Sequence, residues 1–234
     1  MKILIIGDYK PNYPPHPATT DALTHVALKK YLDIEIQWLP TQHLVKFEIL
    51  FDEVNAIWLG PAPYLNLEGV RHAVQYIRKH NIPFIGTCGG MYQAISEFAI
   101  NVLGLPEHNI EITLGEKKNS LFIRDESCSV HGFKTINFKT VEGTKTHSIY
   151  HSKRCIEESN CGFAVNQIYH SAFESLGFKI AGIDIENEAK IFELQNNKFY
   201  IVTKFLPQIQ SSNEIPHPLI EAFVMAGIED YNSF

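Results

Sequence analysis

The chain has 234 residues, 45% of them hydrophobic and 20% charged, with a net charge of −6. That is enough apolar material for one sizeable core. The acidic balance and the absence of a basic-aromatic interleave argue against a nucleic-acid partner, and no apolar run approaches the ~20 residues of a membrane span.

Residues 2–7 read as a buried strand and not a secretory signal, because the apolar run stops at Gly7-Asp8. A polar loop through His16 follows, then a helix from Thr20 to Leu32 with Thr19 or Thr20 as its N-cap. Strands are expected over 34–39 and 55–59, a helix over 67–80, and a strand over 83–87. A further helix starts near Gly89, with Gly104 as its stop. This βαβα rhythm predicts an α/β fold, a doubly wound and mostly parallel sheet that binds ligands beyond the carboxyl ends of its strands. After about residue 111 the runs shorten. Strands are expected at 121–123, 134–138, 178–183, 189–194 and 199–205, with one helix at 167–176 and a last at 219–227. They add antiparallel strands to the second half, and no linker divides the chain, so 1–234 reads as one domain.

Gly86-Thr87-Cys88-Gly89-Gly90, directly after Ile82-Pro83-Phe84-Ile85, has the pattern of a nucleophile elbow. A strand ends, the middle residue makes a sharp turn, and a helix begins; the glycines remove Cβ atoms that would crowd the turn. A thiol at a helix N-terminus is placed to act as a thiolate nucleophile. The plain alternative is a buried structural cysteine. The other cysteines, Cys128, Cys155 and Cys161, show no C-x2-C spacing, so no metal and no cofactor is expected, and free thiols in a cytoplasmic setting are.

The elbow with its following Met91, the stretch Glu97 to Leu105, and Pro216-His217-Pro218-Leu219-Ile220-Glu221-Ala222-Phe223 keep the order in which they resemble the C-terminal glutaminase domain of CTP synthase, a class I glutamine amidotransferase. The resemblance implies Cys88 as nucleophile, with Gly89 supplying one half of the oxyanion hole. The family's His-Pro-Glu falls on Leu206-Pro207-Gln208, so the base and its orienting acid are missing. The other oxyanion segment reads Gly60-Pro61-Ala62-Pro63, and proline has no N–H. The acid that grips the substrate falls on Ile112, with Glu111 as a neighbouring substitute. The arginine that grips its carboxylate falls on Gly162, beside Cys161. Gly7-Asp8-Tyr9-Lys10-Pro11, His16-Pro17-Ala18-Thr19 and Phe205-Leu206-Pro207-Gln208 further resemble stand-alone CTP-synthase C-terminal-region-related proteins, some of them selenoproteins.

His16, at the same sheet edge as Cys88, is the candidate replacement base, with Asp8 as its orienter; the bland reading is a loop histidine. Cys161 is expected to approach Cys88, which would permit a disulfide; His217 reads as part of a helix cap. Catalytic candidates are therefore Cys88 and His16, and substrate-binding candidates Gly60, Gly89, Glu111 and Cys161. The leading reading is a cysteine-dependent enzyme acting on a small amide or other carbonyl metabolite, not an efficient glutaminase, and able to form a homo-oligomer. The alternatives are a catalytically inactive metabolite- or partner-binding regulator and a thiol redox protein.

Overall fold

The structure is a computed structural model that describes residues 1–45, 48–110, 119–124 and 132–231. Glu111, Ile112 and Cys128 lie outside the described residues.

The first half runs β1 (Lys2–Ile6), α1 (Pro15–Lys30), β2 (Glu35–Leu39), α2 (Glu48–Phe51), β3 (Ala56–Leu59), α3 (Leu67–Lys79), β4 (Phe84–Thr87) and α4 (Gly89–Asn101). The second half runs β5 (Phe122–Arg124), β6 (Lys134–Thr140), α5 (Lys145–Tyr150), β7 (Arg154–Ser159), β8 (Phe163–Val165), α6 (His170–Ser175), β9 (Phe178–Ile183), β10 (Ala189–Leu194), β11 (Tyr200–Thr203) and α7 (Pro218–Tyr231). Nine strands form one sheet in the order β2-β1-β3-β4-β11-β10-β9-β6-β7, while β5 and β8 pair separately. The pairs from β2 to β11 are parallel, and those from β11 to β7 are antiparallel.

Strands β1, β3 and β4 are buried almost throughout, as central parallel strands flanked by helices must be. Residues of α2, α3, α4 and α6 pack on one face of the sheet, together with Cys88, Cys161 and Leu206. Residues of α1 and α7 pack on the other, together with Trp58 and Phe205.

Three expectations need correction. Helix α1 starts at Pro15, not Thr20: prolines at 15 and 17 fit a first turn, where no N–H is required, and Thr19 lies inside it, its hydroxyl donating to the Pro15 carbonyl at 2.8 Å. A second short helix, α5, and the edge strand β7 interrupt the later strands. Helix α7 runs past residue 227 to Tyr231. Gly104 does follow the end of α4, at a φ of 75° that favours glycine.

Candidate active site at the carboxyl edge of the sheet

Cys88 is the N-cap of α4, with φ 53° and ψ −110°. A non-glycine residue at positive φ in this region is strained and persists only where its surroundings impose it. The surroundings are visible. The Cys88 N–H donates to the Thr203 carbonyl of β11 at 2.8 Å, and its carbonyl accepts the Met91 N–H at 3.0 Å. A Cβ on Gly90 would strike the Leu59 carbonyl, and one on Gly89 would lie 2.7 Å from the Ala62 nitrogen. The elbow glycines are needed for close approach to β3 and its exit loop.

That close approach bears on the oxyanion hole. Pro61 does lack an N–H, yet the backbone nitrogen packed against Gly89 is that of Ala62. Ala62 keeps its N–H, and Gly89 opens a helix whose first N–H groups have no intrahelical acceptor. Gly60, read from sequence as substrate-binding, is used by the fold: its N–H donates to the Ile6 carbonyl at 3.0 Å, and its carbonyl accepts the Tyr64 hydroxyl.

Cys88 as a whole is 9% exposed. Its Sγ lies 3.5 Å from Asn160 Oδ1, and Asn160 Nδ2 donates to the Tyr13 hydroxyl at 3.0 Å. The residue after Asn160 is Cys161, a free buried cysteine whose thiol interacts with both the Cys88 thiol and the Tyr92 hydroxyl. Burial, and then the neighbouring Cys88, push the Cys161 thiol well above its ordinary range, and Tyr92 and Lys204 only partly offset this. Burial likewise raises Tyr13, Tyr64 and Tyr92, with smaller contributions from the two thiols. Two thiols and three protonated phenols therefore share this edge. Asn160, Tyr13, Tyr64 and Tyr92 escaped the sequence reading, because hydroxyls and amides far apart in the chain carry no local spacing signal.

The turn holding Asn160 and Cys161 is itself anchored. Leu206 N–H donates to the Glu158 carbonyl at 2.9 Å, the Ser159 hydroxyl to the Lys204 carbonyl at 3.2 Å, and Cys161 N–H to the Ser159 oxygen at 3.3 Å. A cysteine elbow before the helix that follows β4, on a parallel sheet extended by antiparallel strands, is an amidotransferase arrangement, and the sequence model for class-I glutamine amidotransferases matches residues 17–225.

The chain belongs to the class-I glutamine amidotransferase family.

A CTP synthase of Lactobacillus acidophilus is 31% identical over 238 residues, which cover 96% of this chain and 44% of the relative. One from Sulfolobus acidocaldarius is 30% identical over 235 residues, with the same coverage. The chain thus spans less than half the length of these relatives. The solved glutaminase domain of Trypanosoma brucei CTPS, with bound acivicin, superposes with a TM-score of 0.83 at 19% identity, covering 98% of this chain and 94% of that one.

The remaining candidates fall away from the thiol. His16 is not in a loop. It sits in the first turn of α1, wholly buried, and its Nδ1 accepts the Lys10 N–H at 2.8 Å. Its Nε2 must then carry the proton, which it donates to the Pro61 carbonyl at 3.0 Å. Burial lowers its pKa, so the ring stays neutral with both nitrogens in use. It has no lone pair to offer Cys88. Asp8 does not orient it either: its carboxylate accepts Thr41 N–H and hydroxyl at 2.9 and 2.6 Å and Leu65 N–H at 2.7 Å. Leu206 is fully buried in the same apolar cluster as Cys88, and Gln208 turns to α1, where its Nε2 donates to the Thr19 hydroxyl at 3.2 Å. His217 joins Glu157 at 2.8 Å and accepts the Leu219 N–H at the start of α7. Among the described residues, no cluster of three or more His, Cys, Asp or Glu is arranged to hold a metal ion, and no helix is long and apolar enough to cross a membrane.

Proposed function

We propose that Cys88 is the nucleophile of an enzyme that transfers or hydrolyses the acyl group of a small amide or other carbonyl metabolite, and that the chain is not an efficient glutaminase. The observation that carries this reading is the positive φ of Cys88, held by an elbow packed tightly enough to exclude a Cβ at Gly89 or Gly90. Strain of this kind is maintained at functional sites. The thiolate attacks the carbonyl carbon, and the N–H groups of Gly89 and Ala62 receive the developing oxyanion.

His16 keeps a role in this reading, but as a positioning residue. The Pro61–Ala62 peptide is trans and planar, so its carbonyl and N–H point in opposite directions. By fixing the Pro61 oxygen from one side, His16 aims the Ala62 N–H toward the elbow.

With Leu206 where the family's base stands, and with no imidazole hydrogen-bonded to Cys88 among the described residues, the acyl-enzyme should accumulate. Treatment with p-nitrophenyl acetate should leave one acetyl group on Cys88, seen by intact mass and peptide mapping. An unmodified protein, or acetylation unchanged in Cys88→Ala, would overturn the reading and favour an inactive binding protein.

A further inference from the structure

We propose that Cys88 and Cys161 form a peroxide-reducing thiol pair, in which Cys88 attacks a small hydroperoxide and Cys161 resolves the product as a disulfide. This goes beyond acyl transfer and shares only the Cys88 thiol with it.

Three observations carry the assignment. First, the two thiols are neighbours across a sequence gap of more than seventy residues: Asn160 contacts the Cys88 sulfur at 3.5 Å, and the next residue presents the second thiol. The turn is tied by the Leu206 N–H and the Lys204 carbonyl, in the chain leaving β11, to Glu158 and Ser159 at the end of β7. Second, the groups around the pair leave room for thiol chemistry beside acyl transfer. The imidazole position is Leu206, and Gly162, where a carboxylate-gripping arginine is expected, has no neighbour within 4 Å of an added Cβ. A thiolate cleaving an O–O bond needs no imidazole to pass its proton to a leaving amine. Third, the roles are unequal. Cys88 is the more exposed of the two, at 9% against 4%, and caps a helix N-terminus, whereas Cys161 is held protonated by burial. A protonated Cys161 does not compete for the peroxide, and it gives up its proton only when hydroxide leaves the Cys88 sulfenic acid.

The chemistry balances with the hydroperoxide as sole oxidant. The Cys88 sulfur attacks the distal peroxide oxygen, the O–O bond breaks, and the departing alkoxide takes the thiol proton to give an alcohol. Cys88 is left as a sulfenic acid. Cys161 sulfur then attacks Cys88 sulfur, an S–S bond forms, and hydroxide leaves with the Cys161 proton as water. An external dithiol returns both cysteines to the reduced state and is itself oxidised to a disulfide.

Cys155 is a natural control. It packs on the opposite face of the sheet, with Phe138 and Phe205, and burial pushes its thiol up to about 11.

The test uses the full chain, reduced, desalted and exposed to hydrogen peroxide or cumene hydroperoxide at a small molar excess. Two of the four thiols should disappear, and peptide mapping should join the Cys88 peptide to the Cys161 peptide. Cys161→Ser should block the disulfide and raise dimedone capture at Cys88 about tenfold or more. Cys161→Ala serves if the serine variant folds poorly. Cys88→Ser should keep its remaining thiols. A wild-type chain that keeps all its thiols, or that pairs Cys88 with Cys128 or Cys155, or dimedone capture unchanged by losing Cys161, would overturn the proposal. None of these outcomes touches acetylation of Cys88 by the ester probe, so the two readings fail separately.

Discussion

The parallel and antiparallel halves of the sheet treat the site differently. Around β3, β4 and β11 the parallel half keeps the steric conditions of an elbow: a strained cysteine and glycines with no room for a Cβ. The turn after β7, which closes the site from the antiparallel half, brings a thiol and an amide, beside a glycine with open space around it. A backbone that must hold a nucleophile tolerates little change. The side chains that meet the substrate hold no part of that backbone, so they can be exchanged without unfolding it.

The largest effect that would break this contrast is glutamine turnover. On the proposed reading, in which Leu206 stands where the family has its histidine, ammonia release from glutamine should be absent or barely measurable, since loss of triad members typically lowers rates by about 10⁴- to 10⁶-fold. Release near ~1 s⁻¹, an ordinary enzyme rate, would overturn that reading of position 206. Next comes the steric contrast between two glycines. Gly90→Ala forces a Cβ into the Leu59 carbonyl and should cost about 3 kcal/mol, or roughly 6–12 °C in melting temperature, whereas Gly162→Ala should stay within ~0.5 kcal/mol. Equal losses in the two melts would remove the distinction between the halves.

A third, smaller effect sharpens the comparison by partial restoration. Leu206→His places an imidazole in the cluster that holds Cys88, and iodoacetamide labelling of Cys88 at neutral pH should quicken by about tenfold. An unchanged rate would show that position 206 is not directed at the thiol. The smallest effect is in acid. His16 and His170 both have pKa values lowered by burial, so below 6.5 the unfolded chain binds protons that the folded chain refuses. Their contribution is complete above that pH and lost as the pH falls through the window beneath it. The melting temperature should drop on going from pH 8 to pH 5.5, and His16→Gln should lessen the drop by roughly 2–4 °C. An identical drop in the variant would remove His16 from the acid response.

The parallel half is largely legible because its central strands β1, β3 and β4 are short apolar runs and its elbow carries glycine. Helix α1 begins earlier than its sequence suggests, since Pro15, His16 and Pro17 resemble a loop although a first helical turn needs no N–H. The antiparallel half hid β7 for a different reason. As an edge strand it alternates exposed Arg154 and Ile156 with buried Cys155 and Glu157, and a buried glutamate does not read as core. Glu157 is held through its Oε1, which accepts the Tyr150 hydroxyl at the end of α5 and is joined by His217 just before α7. In the site, Cys88 announced itself through local spacing. Cys161 was placed near it through family resemblance, while Asn160, Tyr13 and Tyr64 met only through tertiary folding.

β7 lies at the far edge of the sheet, four places from β11, yet its end is hydrogen-bonded to the chain leaving β11. The antiparallel strands must therefore curl back over the centre like the fingers of a closing hand. The amide of Leu206, the hydroxyl of Ser159 and the amide of Cys161 form the clasp. Local opening of that clasp would carry the second thiol and Asn160 away together, while the strands beneath keep their pairing. Because Leu206, Ser159 and Cys161 are themselves buried, such an opening would expose all three as one unit.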